Sequence, residues 1–261
     1  MTTGALIFAF NNEATDYVSM AAWSAKRIRH YLKIPVAVVT DKPTDLDFDR
    51  VIITSAESGG KRYFEDYKQN ITWHNASRVN AYELSPWDQT LLLDADYVVN
   101  SDDLSQVLQA PQDLLAHNWA YDISGRDMTA LNFYGNANLR MWWATVIMFR
   151  RSSIAGYVFS MMELIRDNWQ HYRELYQINR ATYRNDFALS IALQLVNGCR
   201  EYTGSIPWPL ASIMPNTTLE YDQGWTAEYK TANGHMRRCT FNGLDFHAMG
   251  KRDLEAVIAS H

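Results

Sequence analysis

The chain has 261 residues, a formal net charge of −5 and two cysteines, and 47% of its residues are hydrophobic. It is long enough to bury a full core, but its negative balance argues against general nucleic-acid binding, and two cysteines do not form a disulfide framework. No apolar run approaches the length of a membrane span, and the first residues lack the basic region and long apolar stretch of a secretion signal, so we expect a cytoplasmic protein without a membrane anchor.

The first hundred residues alternate between apolar runs and helical patterns. Short apolar runs predict buried strands, whereas apolar residues at three- and four-residue spacing predict amphipathic helices. The predicted strands cover 5–10, 36–39, 51–53 and 91–93, and the predicted helices cover 18–32 and 75–84. Strands that are apolar throughout and separated by helices are typical of a parallel sheet covered on both faces.

The second half of the chain is less regular. The predicted elements are a strand at 144–149, a helix at 154–169 capped by Ser152 or Ser153, a helix after Asn185-Asp186, a loop at 203–218 and a final strand at 241–247. The loop is predicted because this stretch contains Gly204 and three prolines. Since no internal repeat or interdomain linker is visible, we expect one domain over 1–261.

Asp94-Ala95-Asp96 follows the apolar run that ends in three leucines. Side chains two residues apart on an extended segment share a face, so the two carboxylates repel each other unless a cation lies between them. Mg²⁺ and Mn²⁺ commonly bridge protein carboxylates to substrate phosphates. The same spacing recurs at 45–47 and 47–49, but no strand leads into that polar stretch. The context of Asp94 and Asp96 therefore predicts a metal site, and the alternative is a solvated pair at a strand end.

Five landmarks in order along most of the chain resemble the GT-A glycosyltransferases, and within them the glycogenin-like retaining transferases. The landmarks are the strand and turn ending in Phe10-Asn11-Asn12, Thr40-Asp41, Arg78, Leu93-Asp94-Ala95-Asp96, and His247-Ala248-Met249-Gly250-Lys251. The resemblance implies a Rossmann-like, mostly parallel central sheet flanked by helices. Residues 1–100 would form the nucleotide-binding half of the domain, and residues 101–261 would complete the acceptor and metal sites.

The resemblance also implies a role for each matching residue. Around the donor, Phe10, Asn11 and Asn12 would cradle the nucleotide base, and Asp41 would hold the base or ribose. Asp96 and His247 would bind the metal, and Asp94 would bind the metal or the ribose.

Other matching residues would act on the diphosphate and the sugar. Arg78 and Lys251 would neutralise the departing diphosphate, while Gly250 would let the backbone approach a phosphate. Asp186, with Asn185, would lie near the reacting carbon of the sugar, although both residue types also favour helix N-caps. Where the family often carries Asn-Ser-Gly, this chain has Trp143-Ala144-Thr145, so we expect a different sugar or acceptor specificity.

The implied reaction is transfer of a sugar, with retention, from a UDP-linked donor to a hydroxyl group, with Mn²⁺ or Mg²⁺ as cofactor. The chain is also similar to soluble glycosyltransferases of tailed phages, for which the acceptor would be a hydroxymethylated pyrimidine in DNA, in the host cytoplasm. A saccharide or lipid-linked sugar is the alternative acceptor. Two other classes remain open, a sugar nucleotidyltransferase and a non-catalytic nucleotide-sugar binding module. The first would carry a glycine-rich basic loop after the first strand, which 11–15 lacks.

Overall fold

The computed structural model describes residues 1–180, 182–231 and 233–261. The strands are β1 (Thr3–Phe8), β2 (Val36–Thr40), β3 (Arg50–Ile53), β4 (Lys61–Phe64), β5 (Gln69–Thr72), β6 (Gln89–Asp94), β7 (Tyr97–Val98), β8 (Leu114–His117), β9 (Ala120–Asp122), β10 (Phe133–Tyr134), β11 (Leu139–Arg140), β12 (Trp143–Arg150), β13 (Leu210–Ile213), β14 (Thr217–Tyr221), β15 (Trp225–Lys230), β16 (Met236–Phe241) and β17 (Phe246–Ala248). The helices are α1 (Tyr17–Leu32), α2 (Ala81–Leu84), α3 (Leu104–Gln109), α4 (Ser153–Asp167), α5 (Trp169–Leu175), α6 (Asn185–Val196) and α7 (Lys251–Ala259), with 3-10 helices at Ala76–Asn80 and Thr129–Asn132.

Six strands form the central sheet in the order β3-β2-β1-β6-β12-β8. The first four are mutually parallel, and β12 runs antiparallel between β6 and β8. Helix α1 packs against β1 and β2, and α6 packs against β12. The prediction of a mixed α/β fold with a mostly parallel central sheet flanked by helices is therefore confirmed.

The strands β1 and β6 at the centre of this sheet lie in the buried core. Ala5, Leu6 and Ile7 of β1 pair with Leu91, Leu92 and Leu93 of β6, and none of the six side chains is exposed. Strands covered on both faces carry such unbroken apolar runs, because neither face meets water.

The paired ends of these strands bring distant segments of the chain together. Phe8, at the end of β1, is opposite Asp94, at the end of β6. A second sheet, in the order β7-β17-β13-β9, adjoins this edge, and its pairing places His247 opposite Tyr97. The segment that follows Asp96 therefore lies directly beside the strand that carries His247.

The predicted loop at 203–218 is wrong in its centre. Leu210–Ile213 is fully buried as β13 and pairs in parallel with β9 and β17. The prolines lie outside this strand, and the neighbouring strands supply the hydrogen bonds that the local sequence does not predict. The predicted strand at 241–247 is likewise divided into β16 and β17 by a turn in which Gly243 has a φ of +62°.

The helices predicted in the second half are present, but their lengths and buried faces differ in places from the predicted pattern. Ser152 caps α4, as expected, by accepting a hydrogen bond from the Ala155 N–H. Tyr157, within the helix predicted at 154–169, is 66% exposed, and Trp169, the last residue of that predicted helix, begins the separate helix α5. In the first half, the segment predicted as a helix at 75–84 is a 3-10 turn followed by the four-residue α2. No helix of the described residues is long and apolar enough to cross a membrane.

His117, the last residue of β8, is buried without a charge partner. Its Nδ1–H donates to the Trp208 carbonyl at 2.9 Å, while Nε2 is buried without a hydrogen bond, so the ring is held neutral. Burial lowers the pKa of His117 to about 4, although the bond to Trp208 opposes this shift.

We expect His117 to make the fold sensitive to acid. As the pH falls from about 6.5 to about 4, the unfolded chain binds a proton at this ring that the folded chain excludes, which removes about 1.4 kcal/mol of stability per pH unit. His117→Asn keeps a donor for the Trp208 carbonyl and cannot titrate. Urea unfolding across this window should therefore show a shallower loss of stability for the variant than for the wild type. Equal slopes would contradict the prediction.

Candidate functional site

A cavity of about 610 Å³ lies at the carboxyl ends of β1 and β6. Its walls come from these two strand ends, the β4–β5 hairpin, the start of β12, the start of α6 and the segment from β17 into α7. Open α/β sheets bind ligands at this edge, and the volume is within the range of small-molecule sites. The cavity is therefore the candidate functional site.

Three potential metal ligands converge on one wall of the cavity. Single ligand atoms of Asp94, Asp96 and His247 all lie within 4.8 Å of one another. The Asp96 side chain is 7% exposed and that of Asp94 is 24% exposed. His247 Nε2 lies 3.3 Å from Asp96 Oδ2.

The free oxygen atoms of this group fit a divalent cation. Asp94 Oδ2 and Asp96 Oδ1 form no hydrogen bond with any described residue, since the contacts of both carboxylates use their other oxygen. Two carboxylates and one imidazole provide the mixed oxygen and nitrogen ligands that suit Mn²⁺ better than Ca²⁺. The residues present therefore fit a bound divalent metal.

Lys251, the first residue of α7, lies at the same group. Its Nζ donates to Asp96 Oδ2 and, at 3.1 Å, to the Ala248 carbonyl. Burial alone would raise the pKa of Asp96, but Lys251 and then His247 hold it below its usual range. Asp66 also accepts a hydrogen bond from the Lys251 backbone N–H at 2.6 Å, which joins the turn of the β4–β5 hairpin to the start of α7.

Arg78 lies beneath Asp94 and is only 1% exposed. Its Nη1 is 2.9 Å from Asp94 Oδ1 and donates to the Leu93 carbonyl, while Nη2 donates to the Ala144 carbonyl at 2.7 Å. Burial raises the pKa of Asp94, and the Arg78 guanidinium opposes that shift. Arg78 therefore ties the ends of β6 and β12 to one carboxylate.

Asp186 lines the cavity from the first turn of α6. The helix begins at Asn185 and its N-cap is Arg184, so Asp186 is not the N-cap that its residue type favours. Its Oδ1 accepts the Ala144 N–H at 2.9 Å, and its Oδ2 accepts from Arg184 at 2.7 Å. Burial would raise the pKa of Asp186, but Arg184 and the Ala144 N–H lower it, so the carboxylate is charged.

Asn185 also lines the cavity, but its amide is already bonded to the protein. Its Nδ2 donates to the Asn75 carbonyl at 3.0 Å, and its Oδ1 accepts from the Tyr183 hydroxyl at 3.0 Å. Both groups of the amide are thereby fixed, which holds the start of α6 against the 3-10 segment.

The structure brings two of the five remaining predicted residues to the cavity. Phe10 and Asn12 line it, together with Arg78 and Lys251. Of the described residues that line the cavity, none is Asn11, Asp41 or Gly250. Asn11 instead accepts the Val18 N–H at 2.9 Å near the start of α1. Asp41 follows β2, which is separated from β6 by β1.

Several lining residues had little or no signal in the sequence. Trp73 and Tyr17 line the cavity, although neither belongs to a motif. Lys61 and Arg62 lie on β4 and in the cavity wall. Arg180 and Arg184 line the wall beside Asp186.

No family model matches the chain, and no curated protein matches it in sequence. Among solved structures, the galactosyltransferase LgtC is 12% identical and aligns over 71% of this chain and 69% of its own, with a TM-score of 0.49. The glycosyltransferase GlyE of Streptococcus pneumoniae TIGR4 is 13% identical, over 79% and 46% of the two chains, with a TM-score of 0.45. The bifunctional glycosyltransferase WbbM is 13% identical, over 75% and 37%, with a TM-score of 0.41. The chain thus spans less than half the length of GlyE and WbbM.

We expect Arg78→Met to destabilise the fold. The substitution removes the cation beside Asp94 and one hydrogen bond to each of two buried carbonyls, which should cost on the order of 2 to 4 kcal/mol in the free energy of unfolding. Arg238→Met is the matched control, because it breaks a pair with Glu220 in which both side chains are more than half exposed, and it should change stability by less than about 1 kcal/mol. Urea unfolding measures both. Equal effects of the two substitutions would contradict the role assigned to Arg78 as the buried cation that stabilises Asp94.

Proposed function

We propose that the protein is a metal-dependent glycosyltransferase that moves a sugar from a nucleotide-sugar donor to a hydroxyl group, with retention of configuration. The observation that carries the proposal is the convergence of Asp94, Asp96 and His247 with Lys251 at one wall of a cavity large enough for a small-molecule ligand. In sequence, the two halves of this group are separated by about 150 residues, as the 155-residue separation of Lys251 from Asp96 shows.

The metal would be held by free oxygens of Asp94 and Asp96 and by the imidazole of His247. A divalent ion bound there would link these side chains to the diphosphate and offset the charge that builds on the leaving group. We propose Mn²⁺, with Mg²⁺ as the alternative.

Lys251 and Arg78 have different proposed tasks. The Lys251 ammonium donates a hydrogen bond to Asp96. We propose that it turns towards the bound diphosphate and stabilises the negative charge that develops on this leaving group. Arg78 is largely engaged by Asp94 and by backbone carbonyls. We therefore propose that it acts mainly by positioning Asp94. Direct contact between Arg78 and the diphosphate stays a prediction.

Asp186 is the proposed catalytic carboxylate. It is ionised and buried and faces the same cavity as the metal ligands. From there it could stabilise positive charge on the reacting carbon of the sugar, or attack that carbon. Asn185, whose amide is bonded on both sides, would fix the start of α6 and with it the position of Asp186.

The nucleotide is proposed to bind at the end of β1. Phe10 and Asn12 supply apolar and polar surface on that wall of the cavity. We propose a UDP-linked donor, for which residues 1–100 provide most contacts within a single domain of 1–261. Asn11, Asp41 and Gly250 stay predictions of contact with the base, the ribose and the phosphate.

The acceptor is proposed to be a hydroxyl group, with hydroxymethylated pyrimidine in phage DNA as the specific hypothesis. Arg180 and Arg184, at the cavity wall beside Asp186, provide cations near the position of an acceptor. On α1, Arg29 is less available to an acceptor, since it pairs with Asp47 and Asp49. A saccharide or lipid-linked sugar is the alternative acceptor.

Two other functions fit part of the site. A sugar nucleotidyltransferase would also bind a metal and a nucleotide, but it would release diphosphate from a nucleoside triphosphate. A non-catalytic binding module would bind the nucleotide sugar without turnover. Measuring the products formed from a nucleotide sugar in the presence of Mn²⁺ distinguishes both from a transferase.

We expect UDP to stabilise the protein against heat only when Mn²⁺ is present. Asp96→Ala should abolish this stabilisation, because it removes a metal ligand and leaves Lys251 without its carboxylate. The measurement is thermal unfolding with a panel of nucleotides and nucleotide sugars, with Mn²⁺ or with a chelator.

Asp45→Ala is the matched control for Asp96→Ala, because Asp45 belongs to another Asp-x-Asp pair and is exposed. The control should keep the full metal-dependent shift. If no nucleotide shifts the wild type, the acidic pair is a strand-end feature and the proposed function is wrong.

Asp186→Asn should abolish transfer while leaving donor binding intact. Asparagine keeps an oxygen for the Ala144 N–H but loses the negative charge, so we expect turnover to fall by about a hundredfold or more, as when a charge-stabilising group is removed. Product formation from the nucleotide sugar identified by the thermal panel measures turnover, and the thermal shift itself measures binding. Unchanged turnover would leave Asp186 with a purely structural role.

A further inference from the structure

The cavity carries more positive charge than its carboxylates can balance. It is lined by three carboxylates, Asp94, Asp96 and Asp186, and by six basic side chains, Lys61, Arg62, Arg78, Arg180, Arg184 and Lys251. Each carboxylate already forms an ion pair: Asp94 with Arg78, Asp96 with Lys251, and Asp186 with Arg184. Lys61, Arg62 and Arg180 form no ion pair with any described residue, so three positive charges remain.

A donor bound through a metal would not remove this excess. A divalent ion and the diphosphate of a nucleotide sugar carry charges of opposite sign and equal size, so together they add no net charge to the cavity. We therefore expect the three unpaired cations to bind another negative group of the substrates.

Three of the cations are gathered beside Asp186, and we call Arg62, Arg180 and Arg184 the arginine trio. Arg62 lies 3.5 Å above the centre of the Trp73 ring and donates from Nη2 to the Tyr183 carbonyl at 2.5 Å, so its guanidinium is fixed in orientation. Because Tyr183 precedes Arg184 in the chain, this bond brings Arg62 next to Arg184.

The trio is built to face the cavity. Neither Arg62 nor Arg184 uses Nη1 in a hydrogen bond with a described residue, which leaves each guanidinium a donor edge. Burial, and then the charge of Arg184, lower the pKa of Arg62 to about 9, so the group is still charged at neutral pH but at a cost that an anion would relieve. The amino end of the twelve-residue α6, which has no side-chain cap, adds positive potential at the same place.

We propose that the arginine trio binds a carboxylate or phosphate carried by the transferred sugar or by the acceptor, next to Asp186 and separate from the metal and the diphosphate. Guanidinium groups recognise both anions through paired N–H donors. Which substrate carries the anion rests on the proposed function, whereas the anion subsite itself can be tested without it.

Inorganic phosphate is the first probe, titrated calorimetrically into the metal-free protein. The wild type should bind it, and Arg62→Gln and Arg180→Gln should each weaken binding by about tenfold, as expected for the loss of one charge-assisted hydrogen bond. Arg180 is exposed, so its substitution tests the subsite even if Arg62→Gln perturbs the fold. Arg238→Gln, at an exposed arginine of β16, is the matched control and should bind like the wild type.

The same titration separates this subsite from the metal and diphosphate site. The proposal is overturned if the wild type binds no phosphate, or if Lys251→Met abolishes binding while both trio variants keep it, because the ion would then occupy the diphosphate position. Failure of UDP to bind would contradict the glycosyltransferase proposal and leave this result standing.

Matched neutral and anionic ligands then identify the source of the anion. UDP-glucuronate is compared with UDP-glucose for the donor. For the acceptor, in UDP-loaded protein with Mn²⁺, glucose phosphate is compared with glucose, and hydroxymethyldeoxycytidine monophosphate with its nucleoside. We expect one anionic member to bind about tenfold more tightly than its neutral partner and to lose that preference in Arg180→Gln. If no anionic member is preferred, the trio does not recognise substrate.

Discussion

Electrostatic repulsion between two neighbouring carboxylates is the constraint on which the site depends. Asp94 and Asp96 stand at the end of a strand pair whose central residues are fully buried, where water can no longer separate their charges well. Basic side chains lie on both sides of the pair: Arg78 is beneath Asp94, and Lys251 and His247 are beside Asp96. Each carboxylate is left with one free oxygen. The same arrangement therefore stabilises the apo fold and presents the oxygens that a divalent ion would need.

The antiparallel direction of β12 in the central sheet also shapes this site. Because β12 is antiparallel to β6, its first residues, not its last, lie next to Asp94. The Ala144 carbonyl can then accept from Arg78 while the Ala144 N–H donates to Asp186. A single peptide segment thus connects the acidic pair with the proposed catalytic carboxylate.

The sequence predicts those parts of the structure that local pattern decides. The apolar run before Asp94 could hardly be anything but a buried strand, and Ser152 with the periodic residues after it defined α4. Leu210–Ile213 was missed because its strand character depends on β9 and β17, which are distant in sequence. Only the family resemblance placed His247 and Lys251 at the acidic pair. Trp73 and Arg62 gave little signal, since the β4–β5 hairpin pairs only with itself and has no continuous apolar run.

The separation of the metal-site residues along the chain has a consequence for biosynthesis. During translation, β1 and β6 can pair as soon as the first hundred residues have left the ribosome, but about 150 more must follow before His247 and Lys251 arrive, as the 155-residue span of the Lys251–Asp96 contact shows. Non-local contacts of this kind form late. Until then Asp94 and Asp96 lack the cations on the Asp96 side, so the nascent domain carries an unbalanced negative end. Chaperones and counter-ions would therefore contact this negatively charged region of the nascent chain before any substrate binds there.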